Sequence, residues 1–535
     1  MEQNQFSAKS NGDNKDASVT SGSNLSYWLD SVGPIQFEPL RKDLTADVLV
    51  IGAGISGITT AYSLAKEGRH VVVVDDGFVG SGETGRTTAH VVNALDDFYH
   101  EIEKYHGEEG ARYAAESHTA AIDFVERVVN EENIDCDFVR LNGYLFLHQT
   151  DKPKTIEDEY AATRKYGIPT ELLNDVPGLA GESGPCMKYP NQAQFHPLKY
   201  LKCLTDAIIR MGSEVYTQSK ASDIKEGSAK VNGHEVIAKH IVVATNTPVN
   251  DLVTMHTKQF PYRTYVVAFT IPKANREPSL WWDTGDHESE WITMPYNYVR
   301  LQEYNDEDYL LICGGADHKT GQADKESTPE EDRYPILEDW ARKRFPDVKE
   351  VVYRWSGQVM EPIDTMGYIG RNPGDKNVYI VTGDSGNGMT HGTIAGILLP
   401  DLIAGRSNPW EKLYDPARIT FRATPDYLIE NSNTFKQYGD LIAAGDVSKL
   451  EEIPAGEGSV ISSGLKKYAV YKDEAGGIHA YSAFCTHLGC VVHWNGEEKS
   501  FDCPCHGSRF SREGKVMNGP ALSNLPEVEV GKVEK

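Results

Sequence analysis

Two short apolar runs, DVLVI at 47–51 and HVVVV at 70–74, have the pattern of strands buried on both faces. Between them, Ile55 to Glu67 carries helical spacing, so the three segments predict a β-α-β unit. Apolar residues recur at three and four over Asp97–Tyr105 and Glu108–Asn130, which predicts two helices. The middle of the chain mixes strands (Tyr144–His148, Arg263–Ile271, Trp291–Leu301, Tyr309–Cys313) with a helix at Leu198–Met211. Asn305-Asp306-Glu307-Asp308 reads as a hairpin loop. A buried strand, Val378–Val381, runs into a Gly-rich loop and a helix ending near Gly405. Residues 411–448 hold little periodicity and read as a linker with one or two helical turns. Beyond Leu450, short strands alternate with glycine turns, the pattern of a small all-β domain.

Composition narrows the class. With 39% hydrophobic and 25% charged residues, the 535-residue chain suits a folded soluble protein of several domains. Its formal charge of −26 disfavours nucleic acid and anionic membrane surfaces as partners. Mean hydropathy is −0.46, and no stretch reaches the roughly 20 apolar residues of a transmembrane segment. Residues 1–24 have neither a cationic start nor an apolar run; they read as a disordered polar tail without a secretory signal. Cys136, Cys186, Cys203 and Cys313 are scattered singly, which suggests buried thiols in a reducing compartment and a cytoplasmic protein.

Gly52-Ala53-Gly54-Ile55-Ser56-Gly57 is a G-x-G-x-x-G turn between the first strand and helix. Gly52 permits the tight turn, Gly54 a close approach of backbone to a pyrophosphate, and Gly57 close helix packing. Asp75 ends the second strand and can bond a ribose hydroxyl. A Gly-rich turn without ligand is the bland alternative, but strand, helix, strand and acid in register favour a dinucleotide. Three distant segments add to this site. They are the loop Ser81–His90 with Arg86, Thr87 and Thr88, the strand Ile241–Asn246 with Ala244, and the strand and Gly loop Asn377–Gly392. No second such unit exists for a nicotinamide cofactor, so electrons should enter from a small organic substrate.

These residues resemble the D-amino acid oxidase-like flavoprotein superfamily, which includes glycine oxidase, sarcosine oxidases and gamma-glutamylputrescine oxidoreductase. The resemblance covers about 45 to 410. It implies FAD, with Gly386, Asn387, Gly388, Met389 and Thr390 against the isoalloxazine and Gly383 and Asp384 near the ribityl chain. Arg86 stands where some relatives carry a flavin-linking His, which implies non-covalent FAD.

Cys485-Thr486-His487 and Cys503-Pro504-Cys505-His506 offer two thiolates and two imidazoles from two loops. That set suits a Rieske [2Fe–2S] centre, and also tetrahedral zinc, although zinc leaves Cys490 and Cys505 without a purpose. CTHLGC with CPCHGS resembles Rieske domains of the cytochrome bc type. The resemblance implies iron ligands Cys485, His487, Cys503 and His506 and a disulfide between Cys490 and Cys505. It also implies a Ser508 hydroxyl directed at a cluster sulfur, with Phe510 replacing a second donor. Asn518-Gly519-Pro520-Ala521 resembles the loop that shields the cluster.

The expected architecture is an α/β Rossmann-like FAD-binding domain with an interleaved α+β substrate domain, plus a small all-β Rieske domain. After the tail, residues 25–410 form the flavin part, with nucleotide-binding segments near 45–95, 195–250 and 350–410. The substrate-domain segments lie near 135–195 and 255–350. Residues 411–448 are the linker and 449–535 the Rieske domain. A small amine or amino acid is the expected substrate, oxidised by hydride transfer to flavin. Electrons would then pass singly through the cluster, whose exposed histidines would hand them to an external acceptor. Tyr262, Arg263, Tyr265, Tyr296, Tyr298 and Arg300 are candidate pocket residues, with an Arg fork on a substrate carboxylate. A Rieske-type monooxygenase and a redox-sensing interaction protein are the alternatives. The sequence does not set the oligomeric state.

Overall fold

The structure, a computed structural model, describes residue 22 and residues 24–533 apart from 251–253, 275, 290–293, 323–332, 442–444, 448 and 464–465. The polar tail up to residue 21 and the start of the expected 291–301 strand lie outside the described residues.

The apolar runs pair as the sheet that carries the nucleotide turn. Its strands lie in the order Tyr368–Arg371, Val378–Thr382, His234–Val243, Leu44–Ile51, Val71–Val74, Glu214–Tyr216. Along this path all neighbours are parallel except the antiparallel edge strand Tyr368–Arg371, and off the path Ser228–Val231 pairs antiparallel with His234–Val243 and with Ala221–Lys225. Val48 to Val50 and Val71 to Val74 are fully buried, as strands covered on both faces require. Helix Ile55–Lys66 lies against helix Gly388–Ala404, and the contact depends on small residues. A Cβ on Gly396 would come within 2.4 Å of Thr59 Cγ2, and one on Gly392 within 2.7 Å of Ser56 Oγ.

A second, nine-stranded sheet forms the interleaved domain, with Gln259–Pro272 between Val351–Pro362 and Asp308–Lys319. Asn305 and Asp308 close the hairpin from Tyr298–Glu303 to Asp308–Lys319. The strand expected at 291–301 therefore begins only at Tyr298. The two helices expected on either side of residue 106 are both present within Tyr99–Glu132, separated by a kink at the non-helical Gly107, where φ is +73°.

The expected linker is a correction. Residues 424–437 form an α-helix tied down by polar contacts. Glu430 pairs with the buried Lys319, Gln437 donates to Gln322 Oε1 at 3.2 Å, and Asp426 accepts from Tyr105 at 2.7 Å. Just before it, Arg418 grips Asp364 through Nε at 2.8 Å and Nη2 at 2.7 Å. The apolar residues Leu428, Ile429 and Phe435 point outward.

The C-terminal part holds a three-stranded sheet, Glu457–Ser463, Lys466–Lys472 and Ile478–Ser482, and a four-stranded one, His493–Asn495, Ser500–Asp502, Arg509–Ser511 and Val516–Asn518. It presses directly on the flavin part. A Cβ on Gly507 would lie 2.5 Å from Pro261 Cβ, and one on Gly321 would lie 2.9 Å from the Asp502 carbonyl.

Candidate functional site

One cavity joins the sequence segments singled out above. Gly52, Gly54, Asp75, Thr87, Thr88, Ala244, Asp384, Gly386, Asn387, Gly388 and Met389 all line it. Gly52 has φ +104°, and a Cβ there would strike the Ala244 carbonyl at 2.3 Å. A Cβ on Gly57 would strike the Gly52 carbonyl at 1.9 Å. At Gly54 a Cβ would meet only Thr84 Oγ1, at 3.0 Å, so this glycine leaves open the space in front of the helix N-terminus. Asp75 Oδ2 accepts the Ala53 amide at 2.7 Å, and burial next to Asp76 pushes its carboxyl up to about 7. Asn246 borders the same cavity, and its Nδ2 is buried without a partner. A glycine cradle, an acid at the strand end and an unsatisfied amide fit an extended dinucleotide. Gly57, Gly383 and Thr390 stand behind the lining. Thr390 Oγ1 bonds His118 Nδ1 at 2.8 Å, and Gly383 adopts φ +71° at the loop bend.

The candidate pocket residues separate into two groups. Tyr296 and Tyr298 line the cavity, where Tyr296 donates to Asp96 Oδ2 at 2.5 Å and Tyr298 shares a 2.7 Å hydrogen bond with Thr264. Tyr262, Arg263, Tyr265 and Arg300 do not line it. Arg300 is fully buried and donates from Nη1 to the carbonyls of Thr88, Ala89 and Phe195 at 2.8–3.2 Å. Tyr265 contacts His318 Nε2 at 3.0 Å inside the sheet. The expected Arg fork for a carboxylate is thus a clamp on backbone.

Arg263 faces the C-terminal domain instead. Its Nη2 lies 3.6 Å from Glu498 Oε1, and Arg86 Nη1 lies 3.5 Å from the same atom. Burial alone would raise the Glu498 carboxyl, yet Arg86, Arg263 and Arg509 hold it below its usual range. Arg86 lines the cavity, but its guanidinium also donates to the Ser356 carbonyl at 2.8 Å and the Asn24 carbonyl at 2.9 Å. Sequence reasoning missed Glu498, which carries no motif.

The two cysteine loops converge. Cys490 and Cys505 form a disulfide. Cys485 and Cys503 are buried and within hydrogen-bond reach of each other, and the Ser508 hydroxyl reaches Cys485. The rings of His487 and His506 lie 5.0 Å apart, and burial keeps His506 neutral, the form that binds metal. A pair of adjacent thiols and a pair of adjacent imidazoles from the same two loops fit the donor set of a [2Fe–2S] cluster.

These histidines are not the exposed edge that the sequence suggested. His506 is buried and His487 half-buried, because both face the flavin part. The ring of His256, from the turn Met255–Thr257, lies 5.0 Å from that of His487 and 5.9 Å from that of His506. The last strand of that sheet and the turn after it go further: Val516, Met517, Asn518, Gly519, Ala521 and Leu522 line the flavin cavity itself.

Residues 47–402 match the family described as FAD dependent oxidoreductase, and residues 444–529 match the Rieske [2Fe-2S] domain. The chain belongs to the FAD dependent oxidoreductase family. It carries a Rieske domain as well, so FAD and a [2Fe–2S] cluster are its cofactors. The enzyme is an FAD-dependent oxidoreductase with a Rieske domain. A Bacillus subtilis (strain 168) protein named for a Rieske 2Fe-2S iron-sulfur centre, YhfW, is 33% identical over 94% of this chain and 97% of its own. Gamma-glutamylputrescine oxidoreductase of Escherichia coli (strain K12) is 27% identical over 69% of this chain and 86% of its own. The crystal structure of glycine oxidase from Geobacillus kaustophilus shares the fold, with a TM-score of 0.57 at 17% identity. It covers 70% of this chain and 99% of that one. No helix among the described residues is long and apolar enough to cross a membrane.

Proposed function

We propose that this oxidoreductase oxidises a small amine or amino acid in the cytoplasm and passes the electrons through its Rieske centre to an external acceptor. Bound FAD, held without a covalent link, supplies hydride acceptance and can release electrons singly, which the one-electron cluster requires. Gly52, Gly54, Asp75 and Ala244 would hold the dinucleotide, and Gly386, Asn387, Gly388 and Met389 would back its ring. Tyr296 and Tyr298 would bound the substrate. Cys485, His487, Cys503 and His506 would hold the cluster.

The observation that carries this reading is the position of the Rieske domain. Its 516–522 segment walls the flavin cavity, and the rings of His487 and His506 abut His256 of the flavin part. A domain that served only as a tethered appendage would have no need of that contact. The names of the relatives, for gamma-glutamylputrescine and for glycine, agree with a small nitrogenous substrate.

Rapid mixing of the loaded protein with amines and amino acids, without oxygen, tests the scheme. Flavin bleaching followed by the spectrum of a reduced cluster is the expected sequence. Bleaching with no later change in the cluster would overturn the internal transfer.

A further inference from the structure

The inner end of the flavin cavity is acidic and aromatic. Asp96, Asp317, Glu361 and Asp384 line it together with Trp282, Tyr296 and Tyr298. The acids come from separate elements: the loop before helix Tyr99–Glu132, the strands Asp308–Lys319 and Val351–Pro362, and the Gly loop after Thr382. Their hydrogen bonds are incomplete. Asp96 accepts from Tyr296, and Glu361 accepts from Ser385 at 2.8 Å, but Asp317 Oδ1 is buried with no partner. Burial raises Asp96 to about 8 and Asp317 to about 7, a penalty on their charged forms that a neighbouring cation offsets.

Among the described lining residues the cations are Arg86 and Lys220. Arg86 is committed to Glu498 and two carbonyls, and Lys220 donates to the Leu522 carbonyl at 2.7 Å. Arg300 clamps backbone, and Arg263 serves the interface with the Rieske domain. Aromatic faces next to carboxylates suit an ammonium group, through cation–π attraction and ion pairing together.

We infer that the substrate is a cationic amine without an α-carboxylate, carrying a second ammonium group that Asp317, Asp96 and Glu361 receive while another nitrogen reacts. This rests on the flavin-oxidation reading above and narrows it from amines and amino acids to diamines and their longer relatives.

Titrating the FAD- and cluster-loaded protein with 1,4-diaminobutane, butylamine and 2-aminopentanoic acid, by calorimetry and by perturbation of flavin absorbance, tests the assignment. The diamine should bind at least tenfold more tightly than either competitor. Asp317→Asn should erase that preference while leaving the flavin spectrum intact, and Glu361→Gln provides a second variant should the first not fold. Equal or tighter binding of the amino acid, no binding of the diamine, or an unchanged preference in a folded variant overturns the inference. Preferential binding of the diamine without flavin bleaching would uphold the inference and sink the oxidation reading. Bleaching by amino acids alone would do the reverse.

Discussion

Arg263 of the flavin part and Glu498 of the Rieske domain meet 3.6 Å apart with neither side chain exposed to solvent. Glu498 Oε1 also accepts the Ser356 amide at 3.1 Å, so one carboxylate satisfies two guanidinium groups and a strand edge. Removing its charge takes from the buried Arg86 and Arg263 the carboxylate that acts on them most strongly, and breaking a buried pair costs about 3–5 kcal/mol. Glu498→Gln should therefore lower stability by that order. In denaturant titration the flavin fluorescence and the cluster's visible dichroism should shift together. Loss of the cluster signal alone would show that the domains unfold separately.

Gly54→Val should abolish FAD binding and spare the iron. The β-branched side chain would project into the open space before the helix, and nothing near the cysteine loops would change. Flavin and iron analysis of the purified variant checks this. Retained flavin would remove Gly54 from the cofactor site.

Thiol labelling of denatured, iron-free, unreduced protein should modify six cysteines: Cys136, Cys186, Cys203, Cys313, Cys485 and Cys503. Cys490 and Cys505 should label only after reduction. Eight labelled thiols without reductant would contradict the disulfide.

Ser508→Ala should lower the cluster's midpoint potential, because the hydroxyl that reaches Cys485 stabilises the more negative reduced state. A hydrogen bond worth about 1 kcal/mol corresponds to roughly 40 mV for one electron. Phe510, fully buried beside the cysteine loops, should raise the potential when replaced by Tyr. Redox titration of both variants gives the answer. If neither midpoint moves, these side chains do not reach the cluster.

The parts of the molecule legible in the sequence are those where one residue type is obligatory at a fixed spacing. Gly52 and Gly57 have no room for a Cβ, and CTHLGC with CPCHGS sets metal donors at intervals that packing alone would not select. What stayed hidden depends on distant partners. Arg263 and Arg300 sit on strands where an arginine could face a ligand or a carbonyl, and only the fold decides. His256, Asp96 and Asp317 have no local signature. The helix 424–437 escaped because its apolar residues face outward and polar bonds such as Lys319 to Glu430 fix it, which reverses the usual periodicity.

The segment 516–522 that walls the flavin cavity follows the whole flavin part in sequence and rests on the cysteine loops, since the Ala521 amide bonds Ser508 Oγ at 3.0 Å. During synthesis the nucleotide groove is thus complete on its own strands before its last wall exists. The groove is closed on that side only once the second domain has docked. Retention of the vitamin-derived cofactor is in this way tied to how firmly the second domain stays seated.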